Sequence, residues 1–225
     1  MRIRHRIRRG YSLNIMKILY LGDSITDAQR DRSNPDDLGL GYVKYATANI
    51  RSALPDSDIR FYNRGISGNR TSQVIERLDS DVLDINPDIV VLLIGVNDVW
   101  HHYHSTNARD CIETPDEQFE INMRKILDAI KHCGAKLLML EPYMLPVEDK
   151  LAMLPELDAK IRIERKLARE YADAYISLSG RFSEFLINHE FADISDDGVH
   201  PNESGRALLG KMVSDALIPM ISEIA

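Results

Sequence analysis

Residues 88–95 read DIVVLLIG, a continuous apolar and β-branched run from Asp88 to Gly95. Such a run, with no polar alternation, suits a strand buried on both faces in the middle of a parallel sheet. Strand-like and helix-like segments alternate on either side of it. Upstream, a strand is expected at Lys17–Leu21, a helix at Gly41–Leu54, a strand at Ile59–Asn63 and one helix from Ser72 to Ile85, stopped by Pro87. Downstream, Thr114, Pro115 and Glu117 read as a capping box with proline in the first helical turn, and Gly134 ends that helix. A strand at Lys136–Glu141, a helix from about Leu151 to Ala172, a short strand at Ala174–Leu178 and a closing helix from about Asn202 to Ile221 complete the series. This rhythm predicts an α/β fold with a parallel sheet sandwiched between helix layers and right-handed crossovers.

At 225 residues and 44% hydrophobic content, one domain with a sizeable core is expected over residues 16–225. The first fifteen residues hold five arginines and no acid, so the formal charge of −7 leaves −12 on the remainder. An acidic body argues against nucleic acid as the main partner. Residues 1–15 are expected to be a disordered basic extension, with Met16 as the functional start. No apolar leader occurs between Arg9 and Met16 and no apolar run approaches membrane-spanning length. The chain therefore reads as soluble and cytoplasmic, with no membrane partner. Cys111 and Cys133 have neither metal-type spacing nor the count for a disulfide framework.

Four distant segments carry the chemistry. Ser24 follows the first strand within KILYLGDSITD, Gly68 lies in GISGN after the second, and Asn97 lies in GVND after the third. Asp197 and His200 stand in DGVH before the last helix. In a parallel sheet the first three share the carboxyl edge, where ligands bind. A serine hydroxyl is a weak nucleophile near neutral pH and needs an imidazole to take its proton, which is the role read for His200. Asp197, three positions earlier, can hold the imidazole tautomer, and the spacing favours it over its neighbour Asp196. The backbone N–H groups of Ser24 and Gly68 and the carboxamide of Asn97 are candidate donors for a developing oxyanion.

With these residues in place, the sequence resembles the SGNH (GDSL) hydrolase family through GDSIT, NRGISGN, GVND and DGVHP. The resemblance implies a three-layer α/β/α sandwich with a flavodoxin-like parallel sheet, a serine hydrolase mechanism without metal or other cofactor, and activity on small esters. A closer likeness of GDSITD, LGLGYV, NRGISGN and IGVNDVW to the intracellular acetylxylan esterases implies acetylated xylo-oligosaccharides as substrate and permits a homo-oligomer. A lysophospholipase or thioesterase on the same scaffold is the alternative, and a non-catalytic carbohydrate-binding module the reading from another class.

Trp100 and Tyr103, just beyond Asp98, are expected at the pocket mouth, the indole as a sugar platform and the phenol as a rim hydroxyl. His101, His102 and His104 are read as a solvated or rim-lining cluster in a loop, not a metal site. Asp23 and Asp27 are expected to cap the turn after Ser24, and Arg30 to pair with one of them.

Overall fold

The computed structural model describes residues 15–104 and 113–224. Residues 1–14 and Cys111, on which two expectations fall, lie outside them. Five described strands, β1 (Met16–Gly22), β2 (Ile59–Gly65), β3 (Ile89–Leu93), β4 (Lys136–Leu140) and β5 (Ala174–Ile176), form one parallel sheet in the order β2-β1-β3-β4-β5. That is the flavodoxin-like order the resemblance implied.

Alternation along the strands sends side chains into two cores. Ile18, Tyr20, Ile89, Val91, Leu93, Leu138 and Leu140 join one cluster, while Leu19, Leu21, Val90, Leu92, Leu137 and Met139 join the other. Helices α2 (Tyr42–Ala53) and α8 (Glu203–Ile224) cover the first face through Tyr42, Val43, Ile50, Leu209, Val213 and Leu217. Helix α5 (Asp116–His132) covers the second with Phe119, Met123 and Ile126. Helix α6 (Leu154–Tyr171) reaches both clusters, with Leu157 and Ile161 in one and Leu167 in the other. Each buried branched aliphatic side chain contributes about 2 kcal/mol against the unfolded chain.

Register fixes where the site forms. Gly22 pairs with Gly65 on one side and with Leu93 on the other, so three strands end level. The short helix α1 (Ser24–Asp27) packs directly on that edge. A Cβ at position 65 would lie 2.1 Å from the Asp27 nitrogen, so only glycine permits the approach.

The helix expected across 72–85 is two pieces, α3 (Thr71–Ile75) and a π-helical turn at Asp79–Leu83. Arg77, between them, donates to the Gly22 and Arg64 carbonyls and to Asn69 Oδ1, and the Asp84 N–H reaches back to Asp79 O. A guanidinium tied to the sheet edge displaces the regular turn. Residues 96–104, expected as a loop, form helix α4 (Val96–His104). Pro115 sits at the N-cap of α5 without a side-chain cap bond, so the expected capping box is absent; buried Thr114 instead hydrogen-bonds Asp98. A further helix, α7 (Leu178–Phe185), follows β5 where no helix was expected.

Candidate active site

The serine turn is built from the end of β1. Asp23 Oδ1 accepts the Ile25 N–H at 3.0 Å and caps α1, as expected. The turn closes through Asp27 N to Asp23 O at 2.8 Å and Ala28 N to Ser24 O at 2.9 Å. Ala28 and Gln29 then take left-handed backbone, with φ of 40° and 62°. The Asp27 carboxylate accepts the Ser67 N–H at 3.0 Å and its hydroxyl at 2.6 Å, and also pairs with Arg32. Arg30 Nε stands 3.9 Å from the other Asp27 oxygen.

The loop before α8 brings Asp197 and His200 back over this turn. Asp197 Oδ1 accepts the N–H groups of Val199 at 2.8 Å and His200 at 2.7 Å, folding the loop around the carboxylate. The Leu145 N–H donates to Gly198 O at 2.7 Å and fastens the loop to the segment after β4. Asp197 Oδ2 lies 2.7 Å from His200 Nδ1, and His200 Nε2 lies 2.9 Å from Ser24 Oγ. A carboxylate only accepts, so Nδ1 carries the proton and Nε2 accepts from the serine hydroxyl. Burial alone would raise the Asp197 pKa, but bonds from the His200 ring and from the backbone N–H groups of Val199 and His200 hold it below the usual carboxylate range.

Helix α4 grips the loop after β2. Asn97 Nδ2 donates to Asn69 O at 3.1 Å, and His101 Nε2 donates to Gly68 O at 2.9 Å. Buried Asp98 accepts the Thr71 N–H at 3.0 Å and its hydroxyl at 2.7 Å. Gly68 itself has φ +82°, a backbone that favours glycine. The parts that Asp98 and His101 play escaped sequence reasoning, although Asn97 and His101 stand four apart and so share one face of a helix.

A cavity of about 220 Å³ is lined by Ser24, Gly68, Asn97, Trp100, Val199 and His200 among others. Trp100 therefore reaches the site, but its ring system already contacts His104, 4.2 Å between centroids, and Lys150 Nζ, 4.7 Å from the centroid. Tyr103 does not line this cavity; its hydroxyl donates to Ala152 O at 3.3 Å. The three histidines turn to separate partners, His101 to Gly68, His102 to Glu156 and His104 to Trp100. Asp23 is fully buried with no partner for Oδ2 among the described residues, and burial pushes its pKa up to about 7, against a bond from Ile25 and the attraction of His200. A larger cavity of about 390 Å³ beside β5, lined by Arg165, Arg169 and Tyr175 among others, lies away from these groups.

The arrangement can pass a proton from a serine hydroxyl to an imidazole and present amide donors beside it, which is the equipment of acyl transfer. The model of the GDSL-like Lipase/Acylhydrolase family matches residues 20–208. The chain is 30% identical over 199 residues to an acetylxylan esterase of Geobacillus stearothermophilus, covering 87% of this chain and 90% of that protein. A Parabacteroides merdae structure described as a GDSL-like lipase superposes with TM-score 0.82 at 30% identity, over 90% of this chain and 95% of the other. The structure of the acetylxylan esterase Axe2 from Geobacillus stearothermophilus gives TM-score 0.79 at 27% identity, over 91% and 93% of the two chains.

Proposed function

This chain belongs to the GDSL-like lipase/acylhydrolase family and is a carboxylic ester hydrolase, and we propose that Ser24 is its nucleophile and acetylated xylo-oligosaccharides or related acetyl sugars its substrates. The observation that carries the assignment is the unbroken chain from Asp197 through His200 to Ser24, with contacts of 2.7 and 2.9 Å. His200 Nε2 takes the hydroxyl proton as Ser24 Oγ bonds to the acetyl carbon. The carbonyl oxygen becomes an oxyanion, met by the N–H groups of Ser24 and Gly68 and by Asn97 Nδ2. Nε2–H then protonates the leaving alcohol oxygen, and the C–O bond breaks to give an acetyl-serine and a free sugar. Water enters, gives its proton to the same nitrogen, and releases acetate while Ser24 recovers its hydrogen. Asp197 steadies the imidazolium formed in each half of the cycle.

The acetyl preference is supported by the modest 220 Å³ cavity beside the donors, and the sugar by the 30% identity to an acetylxylan esterase along 90% of that protein. Ser24→Ala is expected to cut acetate release from acetylated xylo-oligosaccharides by about 10³-fold or more while the protein stays folded. Unchanged turnover in that variant refutes the nucleophile. A rate maximum at acyl chains of eight carbons or more moves the function to the lysophospholipase or thioesterase class. A parent protein that binds such sugars without cleaving any ester is a binding module.

A further inference from the structure

Ser24 and His200 line two neighbouring cavities. On the donor side, Gly68, Asn97 and His101 stand beside the apolar walls Val96, Trp100 and Val199. On the other side, a cavity of about 260 Å³ is lined by Ser24, Gln29, Ser67, His200 and Arg206 together with Ile25, Ala28 and Pro201. We propose that this second cavity is the alcohol subsite, built for a hydroxyl-rich leaving group, with Gln29 and Arg206 as its specificity-determining residues. The proposal rests on the esterase assignment above.

The tetrahedral carbon formed on Ser24 Oγ carries three further substituents. Its oxygen must face the Gly68 and Asn97 donors, inside the first cavity. The apolar remainder of that cavity suits the methyl of an acetyl group. The leaving oxygen must meet His200, which borders both spaces, so the rest of the alcohol has the second cavity to occupy. A polyol entering it gives up hydration and needs replacement partners. Gln29 supplies a donor and an acceptor, and Arg206 supplies donors only.

The wall is held in place from both catalytic loops. Ala28 and Gln29 are consecutive non-glycine residues in left-handed backbone, a conformation that persists only where the surroundings enforce it. The surroundings here are the Leu40 N–H on Ala28 O at 2.9 Å, the Arg30 N–H on Asp27 O at 3.0 Å, and Ser67 on the Asp27 carboxylate. A Cβ on Gly41 would come within 2.5 Å of Ala28 Cβ, so the turn has no room to relax in that direction. Opposite, Arg206 Nε donates to Pro201 O at 2.9 Å and ties the cation to the residue after His200. Gln29 thus stands five residues after the nucleophile, and Arg206 six after the base, and both bring polar groups to one cavity whose wall also holds Ile25 and Ala28.

The test uses three esters on the full chain: methyl β-xyloside triacetate, para-nitrophenyl acetate and para-nitrophenyl butyrate. Gln29→Ala and Arg206→Met are each expected to lower the ratio of kcat/KM for the xyloside to that for the aryl acetate by about tenfold. Trp100→Ala is expected instead to raise butyrate over acetate by about fivefold. Xylobiose should inhibit the parent competitively and the Gln29 variant more weakly. Gln29→Ala that shifts the acetate to butyrate ratio, or moves neither ratio, overturns the subsite. So does a parent that cleaves para-nitrophenyl acetate but neither cleaves the xyloside nor responds to xylobiose, a result that leaves the esterase assignment standing. A folded parent that cleaves none of the three fells the esterase assignment and the subsite with it.

Discussion

Ser24 is an ordinary hydroxyl until its neighbours act on it, and two of those neighbours leave separate signatures. Asp23 keeps its carboxyl buried, with a pKa of about 7 against an ordinary 3.8, chiefly through desolvation. Between those values the native state holds a proton that the unfolded chain has released, so this group's contribution to stability is lost as pH rises toward and through 7. Asn keeps the capping oxygen and has no such proton to lose. Asp23→Asn is expected to gain several degrees in Tm over the parent between about pH 5 and pH 8, and a gap that stays flat in thermal scans contradicts the burial argument. His101 fixes the carbonyl of Gly68 and so aims the N–H on the same turn. His101→Ala is expected to lower kcat about tenfold to a hundredfold with KM within about twofold, and His101→Gln to recover much of the loss. Equal changes in kcat and KM in steady-state kinetics contradict a positioning role. That Ser24, Gly68, Asn97, Asp197 and His200 would meet was legible because each stands in a short string at a strand end or just before the last helix, and the structure brings them together. His101 lines the cavity as a rim residue was expected to, whereas its bond to Gly68 and the turn of Tyr103 away from the cavity were not legible: in a helix, positions 97 and 101 share a face while 103 turns away, and no loop reading contains that angle.

Elements were legible in proportion to how local their causes are. The strands announce themselves through apolar runs that must be covered on both sides, and all five lie where expected to within about two residues. Helix α4 hides because VNDVWHHYH is rich in β-branched, aromatic and histidine residues of weak helix propensity; contacts from Asn97, Asp98 and His101 to the 68–71 segment hold it. The break between α3 and the π-helical turn hides for a similar reason, since Arg77 is drawn to carbonyls 13 and 55 residues away. Glycine at the end of β2 is the element-scale hinge of the site, because α1 rests on it. Gly65→Ala is expected to cost about 2 kcal/mol or more and to reduce activity by displacing the serine turn, measured by denaturant titration and acetate release. A variant of parental stability and rate contradicts the close packing.

Across the whole molecule, the order β2-β1-β3-β4-β5 makes β1 and β3 neighbours whose connections leave in opposite directions, and a crevice forms at that switch. The Ser24 turn follows β1, α4 follows β3, and the Asp197–His200 loop returns from the far end of the chain to close the crevice. Among the described residues no helix is long and apolar enough to cross a membrane. The central claim is that one hydroxyl, at position 24, becomes acylated because this topology sets it against the imidazole at position 200. The most direct measurement is reaction with a fluorophosphonate ester followed by peptide mass analysis. A single adduct on Ser24, formed by the parent and largely lost in His200→Ala, is the predicted result; an adduct on another residue, or none on Ser24 while ester hydrolysis is blocked, would contradict it.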